Sequence, residues 1–249
     1  NGVSLIIFAS IISRIPVGVA QAIELTKAKS LSILGLVGGV VGTIVLMMLV
    51  LYAYLGERKV PVQYAKRIVG RKVYGGQSTY IPLKLVQAGV MPIIFASTVL
   101  MFPATISQFW PKSWFYLHIA QPLTSSSTVA HNIVFFFLII FFTYFYTEIT
   151  YDPTKIADDL KKYGGYIPGV RPGEATAQYI KGVLDRIVLP TAIFLALLAI
   201  VPNVAIGQLQ ISAFAFGGTQ LLIIIGVSLE TVQEIEAYMM MRHYKGFMK

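Results

Sequence analysis

Apolar residues fill six long stretches of this chain, and polar segments separate them. A helix needs about 20 residues to cross the roughly 30 Å hydrocarbon core of a membrane, and each stretch reaches or approaches that length. The stretches are residues 3–20, 31–55, 88–108, 132–151, 183–201 and 211–229. The pattern therefore predicts an all-α polytopic membrane protein with six transmembrane helices.

The polar segment at residues 56–84, GERKVPVQYAKRIVGRKVYGGQSTYIPLK, is strongly basic. It holds seven of the chain's 20 lysines and arginines against the single acid Glu57. Loops this basic beside membrane spans are retained on the cytoplasmic side. With six spans, a second basic segment at residues 152–182 and both chain ends fall on the same side.

Composition restricts the protein class further. Charged residues make up 12% of the chain, whereas a soluble domain has about 25%. A water-soluble surface could not be covered with so few charges. The chain has no cysteine, so it contains no disulfide or thiolate site. It opens at Asn1 without an initiator Met or a positively charged n-region. We therefore expect part of a longer protein rather than a signal peptide at this end.

The second basic segment contains a helix signal and a turn signal. Asp152 followed by Pro153 predicts a helix start, and the glycine pair at residues 164–165 predicts its end. The residues expected on its apolar face are Ile156, Ala157 and Leu160. Prolines and glycines then surround Arg171, which predicts an arginine presented on a stiff turn, and Glu174 begins a helix that continues into the fifth span.

The first two apolar stretches carry local irregularities. Pro16 breaks the first stretch, and we expect Arg14 to extend its charge to the outer interface. The polar connector at residues 21–30 favours a turn when the sequence is considered by itself. Overlapping GxxxG spacings at residues 35–42 predict that a neighbouring helix packs closely there.

The sequence contains none of the common catalytic motifs that we considered. The three histidines are widely separated, and the HExxH, GxSxG and GxxxxGK[ST] motifs are absent. We therefore predict a protein that is not an enzyme and that binds no metal or cofactor. The mid-span positions are almost entirely aliphatic. This composition favours a pore whose aliphatic lining closes it to ions by excluding water. Two alternatives stay open: half of a secondary transporter, which those positions disfavour, and a membrane anchor or ribosome receptor without a pore.

Four motifs together resemble the C-terminal portion of the SecY family, the channel subunits of the protein-conducting translocon. They are the opening NGVSLIIFAS, the segment YAKRIVGRKVYGGQSTYIPLKLVQAGVMPIIFAS with FPATI after it, the segment DLKKYGGYIPGVRPGEATAQYI, and FGGTQLLI in the last stretch. The match covers essentially the whole chain. It implies that the six spans are similar to helices five to ten of a ten-helix channel with inverted-repeat halves, with helices one to four and the plug missing.

The resemblance implies a function and a domain division. Residues 1–30 would form the last helix of the N-terminal half plus a hinge, so the connector at 21–30 is now interpreted as that hinge. Residues 31–249 would form the C-terminal half, with five helices and cytoplasmic loops 56–87 and 152–182. The implied protein is the central channel subunit of a bacterial-type plasma (inner) membrane. It would pass unfolded secretory polypeptides across the membrane and release transmembrane segments laterally into lipid.

The resemblance also implies site residues and partners. The implied hydrophobic pore ring is Val3, Ile7, Ile94 and Ile223, the lateral gate includes Ile94 and Thr98, and the docking positions are Arg71, Lys72 and Arg171. Guanidinium and ammonium groups on projecting turns can pair with carboxylates of a motor protein or with phosphates of RNA. The implied partners are SecE- and SecG-type small membrane subunits, the SecA motor ATPase, the ribosome, the translocating preprotein with its signal sequence, membrane lipid and the missing N-terminal half.

Overall fold

The computed structural model describes residues 2–27, 33–64, 67–69, 72–74, 78–107, 109–110, 114–125, 128–209 and 218–245. The helices are α1 (Gly2–Ile12), α2 (Ile15–Lys27), α3 (Ile33–Leu55), α4 (Met91–Ser107), α5 (Gln121–Thr124), α6 (Val129–Thr150), α7 (Pro153–Lys162), α8 (Glu174–Leu209) and α9 (Gly218–Lys245). A π-helix, Tyr116–Ala120, runs directly into α5. The strands are β1 (Glu57–Tyr64), β2 (Arg67–Val69), β3 (Lys72–Tyr74), β4 (Ser78–Lys84) and β5 (Gly165–Tyr166).

Three stretches of the described chain are predominantly helical and are long and apolar enough to cross a membrane. They are Val37–Leu55, Val129–Lys162 and Glu174–Pro202. The second of these includes α6, the two non-helical residues after it and α7. Two further apolar helical stretches, Leu5–Ala20 and Met91–Ser107, are shorter than this length. The last apolar stretch of the sequence starts outside the described residues and continues into α9. The fold is thus mostly helical, as predicted, while the count of six spans stays a prediction.

The apolar helices pack around one core, here called the bundle core. Helix α6 packs between α4 and α8, and α9 contacts α8, α3 and α1. Ile93 of α4, Ile139 of α6 and Leu222 of α9 are all 0% exposed and belong to this core. The buried Thr143 hydroxyl donates a 2.7 Å hydrogen bond to the carbonyl of Ile139, so this polar group is satisfied within its own helix.

Glycines allow α9 to approach its neighbours closely. A Cβ atom at Gly218 would lie 2.8 Å from a carbonyl oxygen of α8, and one at Gly226 would lie 2.7 Å from the Tyr54 hydroxyl of α3. By contrast, nothing lies within 4 Å of the Cβ position at Gly38 or Gly42. The close packing that the GxxxG spacing predicts is therefore not made at these two glycines by the described residues.

The two basic segments fold together outside the bundle core. Strands β1 and β4 form an antiparallel hairpin, with Glu57 opposite Lys84 and Gln63 opposite Ser78. Strand β5, from the second basic segment, pairs with the other edge of β1. The sequence pattern identifies residues 56–84 only as a polar segment between two spans, and it does not predict the strands β1 and β4.

A second apolar core holds these elements together. Its residues come from β1, β4, α7, the turn after β5 and the first part of α8, and are Val60, Val62, Leu83, Leu160, Ile167, Ile180 and Leu184. We call the strands β1, β4 and β5, helix α7 and residues 174–184 of α8 the sheet module. Alternate residues of β1 point into this core because side chains of a strand alternate between its two faces.

Helix α7 forms as its sequence predicts. The Asp152 carboxylate accepts hydrogen bonds from the backbone N–H groups of Thr154 at 2.9 Å and Lys155 at 3.3 Å. This N-cap satisfies donors that have no partner in the first turn. On the predicted apolar face, Ala157 is 2% exposed and Leu160 is 8% exposed. The predicted helix start, apolar face and helix beginning at Glu174 are all confirmed.

The first apolar stretch is interrupted by two residues, Ser13 and Arg14, which separate α1 from α2. Pro16 lies in the first turn of α2, where its missing N–H breaks no helical hydrogen bond. Residues 21–27 continue α2 as a helix, so a turn there is wrong, and residues 28–32 lie outside the described part of the chain. Arg14 is exposed at the break.

Candidate functional site

Three of the four residues implied for the pore ring gather at the bundle core. Ile223 of α9 belongs to this core and is 8% exposed, while Ile7 of α1 and Ile94 of α4 are partly buried and pack against it. Val3 lies in α1, but its side chain falls outside the described part of the structure. The fold thus brings branched aliphatic side chains from three helices to one apolar cluster. Their role in a pore stays a prediction.

Helix α4, which carries the implied gate residues, is packed on one side. The Phe95 ring centroid lies 5.8 Å from that of Phe142 and 5.2 Å from that of Tyr146, both on α6. Thr98 is exposed, and its hydroxyl donates a 2.8 Å hydrogen bond to the Ile94 carbonyl. The other large exposed apolar residues of α4 are Val99, Met101, Phe102 and Ile106. This face of α4 is therefore uncovered by the described residues.

Arg171 is exposed at the tip of the second basic segment, as its sequence predicts. Gly169 and Gly173 flank it with φ angles of 83° and 106°, a conformation that L side chains rarely adopt. The Thr176 hydroxyl, on a residue that is 1% exposed, donates a 2.8 Å hydrogen bond to the Arg171 carbonyl. The backbone that presents Arg171 is therefore fixed at the start of α8, while its guanidinium projects into solvent.

Of the other two implied docking residues, the structure describes only the backbone of Lys72. Lys72 begins β3, which pairs with β2 so that Lys72 is opposite Val69. Its side chain is outside the described part of the structure, and Arg71 is wholly outside the described residues. The structure thus places one of these two positions on a small two-stranded hairpin and leaves their charged groups untested.

One sheet, β4–β1–β5, connects the two basic segments. Gln63 of β1 is opposite Tyr166 of β5, whose hydroxyl donates a 3.1 Å hydrogen bond to the Gln63 Oε1 atom. The sequence pattern places these segments in separate loops and does not predict their pairing. No local pattern could reveal it, because β5 is two residues long and its partner lies about a hundred positions earlier in the chain.

Lys59 of β1 interacts with one side chain of its own strand and with one of β4. The Lys59 ammonium lies 3.3 Å from the Glu57 carboxylate and 4.7 Å from the centre of the Tyr80 ring. The hydrogen-bonded Glu57 carboxylate, with Tyr80, raises the pKa of Lys59. This lysine therefore stays positively charged across the physiological pH range.

The hairpin also contacts the C-terminal end of the bundle, and no local sequence pattern predicts this contact. The Lys84 ammonium donates a 2.6 Å hydrogen bond to the Gln233 Oε1 atom of α9. One turn earlier, beyond the last predicted span, Glu230 is half-buried, and desolvation, together with the charge of Glu234, raises the pKa of the Glu230 carboxyl. The sheet module and α9 thus meet through polar groups at the end of the bundle.

The described residues contain no group of three or more His, Cys, Asp or Glu side chains that could hold a metal ion. The candidate site combines the apolar helix cluster of the bundle core with the sheet that joins the two basic segments. Such an arrangement can exclude water from a passage and bind anionic surfaces, and neither action requires a reactive group.

Comparison with protein families and curated relatives identifies one family. A family model for SecY matches residues 1–232. The protein translocase subunit SecY of Mycobacterium tuberculosis is 45% identical over 268 residues, covering 100% of this chain and 58% of the relative. The protein of the same name from Streptomyces scabiei is 44% identical over 263 residues, covering 100% of this chain and 57% of the relative. The chain thus spans about 58% of the length of the first of these relatives.

Solved structures share the fold. One is the structure of a SecY protein whose plug domain is described as stabilising the closed state of the translocation channel. It aligns with a TM-score of 0.63 and 22% identity, over 93% of this chain and 58% of that chain. A second, described as a protein conducting channel, aligns with a TM-score of 0.55 and 22% identity over 78% of this chain and 47% of that chain. At this identity the two structures support the fold alone.

Proposed function

This chain belongs to the SecY family, and because of that membership we propose that it is the C-terminal part of the central subunit of a protein-conducting channel. It passes unfolded secretory polypeptides across the membrane and releases transmembrane segments laterally into lipid. The observation that carries the proposal is the match of the whole chain to protein translocase subunits. The alternative, half of a secondary transporter, is not favoured by these relatives.

The bundle core supplies the apolar constriction that such a channel needs. Ile7, Ile94 and Ile223, with Val3, contribute to the pore ring in this proposal, and the first three pack in one apolar cluster. A ring of branched aliphatic side chains expels water when it is empty and adapts to a passing polypeptide. Ions are then held back without any charged gate.

The pore ring can be tested by removing two of its side chains. We expect Ile94→Gly combined with Ile223→Gly to raise the ion conductance of the resting channel, because the gap becomes wide enough to hold water. The measurement is single-channel conductance of the full-length protein, reconstituted with its partner subunits in a planar bilayer. Ile133→Gly is the matched control, since Ile133 is 52% exposed on α6. Unchanged conductance in the double variant would remove these residues from the ring.

The exposed face of α4 suits one wall of a lateral gate. Thr98 lies next to Ile94 on the same helix, and the described residues leave Thr98 uncovered. In the proposed channel the missing N-terminal half supplies the opposite wall. Signal sequences and transmembrane segments would leave between these walls into lipid, where their apolar side chains are favoured.

Docking of the SecA motor or the ribosome is proposed beside the sheet module, through Arg71 and Lys72 of the segment between β1 and β4 and through Arg171 of the turn before α8. Arg171 is exposed on a turn that Thr176 anchors. A fixed guanidinium can form two parallel hydrogen bonds to a carboxylate or a phosphate.

Reversing the charge of Arg171 tests this docking role. We expect Arg171→Glu to weaken motor binding and motor-driven translocation about tenfold, the effect of losing one charge-assisted hydrogen bond. Binding should also become less dependent on salt concentration. Lys161→Glu, on the exposed side of α7 in the sheet module, is the matched control. Full translocation with tight motor binding in the Arg171 variant would contradict the docking role.

The remaining parts of the proposal concern assembly and orientation. SecE- and SecG-type subunits and the N-terminal half cover the bundle in the inner membrane, and both chain ends are cytoplasmic. Residues 1–30 complete the N-terminal half and its hinge, and residues 31–249 form the C-terminal half. The concentration of basic residues in the sheet module supports the cytoplasmic placement.

A further inference from the structure

Helix α8 separates two grooves of different character. The groove on one side has a volume of about 410 Å³, and its lining includes Tyr52, Leu85, Arg186, Pro190 and Phe194. This lining is almost entirely apolar, and Arg186 is its single charged side chain. The volume lies within the range of about 300–1,000 Å³ that is usual for small-molecule sites.

The groove lies where the membrane-embedded part of α8 begins. Ile180 and Leu184 of α8 pack in the core of the sheet module, whereas Leu195 belongs to the bundle core. Arg186 and Pro190 lie between these two cores along the helix. Tyr52, which is 79% exposed at the end of α3, is at the same level. Tyrosine is enriched at the membrane interface, which agrees with this depth.

Arg186 is exposed, and no carboxylate of the described residues lies within ion-pairing distance of its guanidinium. A charged group at the edge of the hydrocarbon region is costly unless it finds an anion or water. An arginine is well suited to a phosphate, because its planar guanidinium can donate two parallel hydrogen bonds.

The groove on the other side of α8 has the opposite charge. It has a volume of about 660 Å³ and is lined by four carboxylates and a single ammonium, from Glu148, Asp158, Glu174, Asp185 and Lys181. Adjacent residues on a helix are about 100° apart, so Asp185 faces this groove while Arg186 faces the apolar one. At the same depth, one face of α8 therefore attracts an anion and the other face repels it.

We propose that the groove lined by Tyr52, Leu85 and Arg186 binds one anionic phospholipid, with its phosphate on Arg186 and an acyl chain against Pro190 and Phe194. An apolar groove with one cation matches the shape and charge of a single-headed anionic amphiphile. Anionic lipids are concentrated in the cytoplasmic leaflet, where their negative surface attracts basic groups. The carboxylates on the other side of α8 repel the same headgroup. This inference rests on the proposed cytoplasmic placement of the sheet module, and it does not depend on the channel function.

Native mass spectrometry of the purified full-length complex, incubated with phosphatidylglycerol or phosphatidylcholine, tests the proposal. We expect wild type to retain phosphatidylglycerol preferentially, and Arg186→Gln to bind it about tenfold more weakly. Arg186→Lys keeps the charge without the planar fork, so it should bind with an intermediate affinity. Lys181→Gln removes one positive charge from the same helix on its other side and should behave as wild type.

Several results would overturn the proposal. Equal retention of the two lipids by wild type, or unchanged phosphatidylglycerol binding in Arg186→Gln, would show that the groove does not select anions. An equal loss in Lys181→Gln would indicate a general charge effect. Displacement of the lipid by soluble glycerol phosphate would mean that the acyl chain contributes nothing. Loss of a protein subunit from Arg186→Gln with unchanged lipid would assign the groove to that subunit. If Arg186→Gln does not fold, wild type and Arg186→Lys still decide the question.

Discussion

The sheet module and the bundle core bury apolar residues for different physical reasons. In the module, Val62 and Leu83 are 0% and 1% exposed, while alternate residues of the same hairpin are exposed. Water surrounds this module in the proposed orientation. Removing apolar surface from water contributes about 25 cal/mol per Å², so burial itself stabilises the module.

The outer surface of the bundle remains apolar. Only 17% of the apolar part of α3 is buried, and 44% of that of α8. Lipid tails are as apolar as leucine, so a helix in a membrane gains little from burying an aliphatic side chain. Close van der Waals contact, such as that at Gly218 and Gly226, must hold these helices together. The same aliphatic residue therefore contributes very differently to stability in the two regions.

Truncating a module residue should have the greatest effect. We expect Leu83→Ala to reduce the stability of the hairpin by about 2–5 kcal/mol, since it removes buried methyl groups and leaves a cavity. Leu49→Ala is the matched control, because Leu49 is 41% exposed on α3 and faces lipid in the proposed orientation. The rate of limited proteolysis within residues 57–84 of the folded complex measures the difference. Equal protection in both variants would contradict the distinction between the two cores.

Filling a close helix contact should have a smaller effect. We expect Gly226→Val to destabilise the complex by about 1–3 kcal/mol, because the new side chain would overlap Tyr54 and Val90. Gly38→Val adds the same atoms to α3 where nothing lies within 4 Å, so its melting temperature should match wild type. Thermal unfolding of the purified complex in detergent gives both values. Equal melting temperatures for the Gly226 variant and wild type would show that α9 does not depend on this contact.

Neutralising Glu230 should have the smallest effect, and one that depends on pH. Burial raises the pKa of Glu230 above that of the unfolded chain, so the folded state holds this proton more tightly. Stability is therefore lost as pH rises from the unfolded pKa of about 4.3 through the raised folded value. Glu230→Gln removes this loss, and we expect it to melt at a higher temperature than wild type at pH 7.5 and at a similar temperature at pH 4.

The gain from Glu230→Gln should stay below about 1 kcal/mol, because the group is partly solvated and its charge is screened. Glu236→Gln, an exposed change further along α9, is the control and should differ from wild type by the same amount at both pH values. A Glu230 variant that melts below wild type at pH 7.5 would mean that its interaction with Lys84 outweighs the cost of burial.

Local signals in the sequence predict the helices and their ends well. The Asp152 cap and the apolar positions of α7 depend on neighbours within one or two turns, and they are confirmed. The family resemblance identifies the fold for the same chain, and the family match confirms it. The basic turn at Arg171 is likewise exposed as predicted.

Proline residues in both strands of the hairpin obscure its sequence signal. Val60 and Val62 alternate with polar neighbours, which is a strand signal, but Pro61 and Pro82 in β1 and β4 are typical of loops or edge strands. The packing expected from the GxxxG spacing stays a prediction, because the described residues make no close contact at Gly38 or Gly42. Small residues permit close packing on either side of a helix, and the spacing does not say whether a neighbour is present, as Gly38 shows.

The length of α8 has a mechanical consequence. Its 36 residues form one helix of about 54 Å that begins three residues after Arg171 and continues into the bundle core. A load along its axis is transmitted from the tip into the bundle by the backbone hydrogen bonds of the helix, although its two prolines each lack the N–H for one such bond. A sideways load is absorbed instead at Pro190 and Pro202, where such bonds are missing and the helix bends most easily. The helix therefore resists force along its axis and bends under force across it.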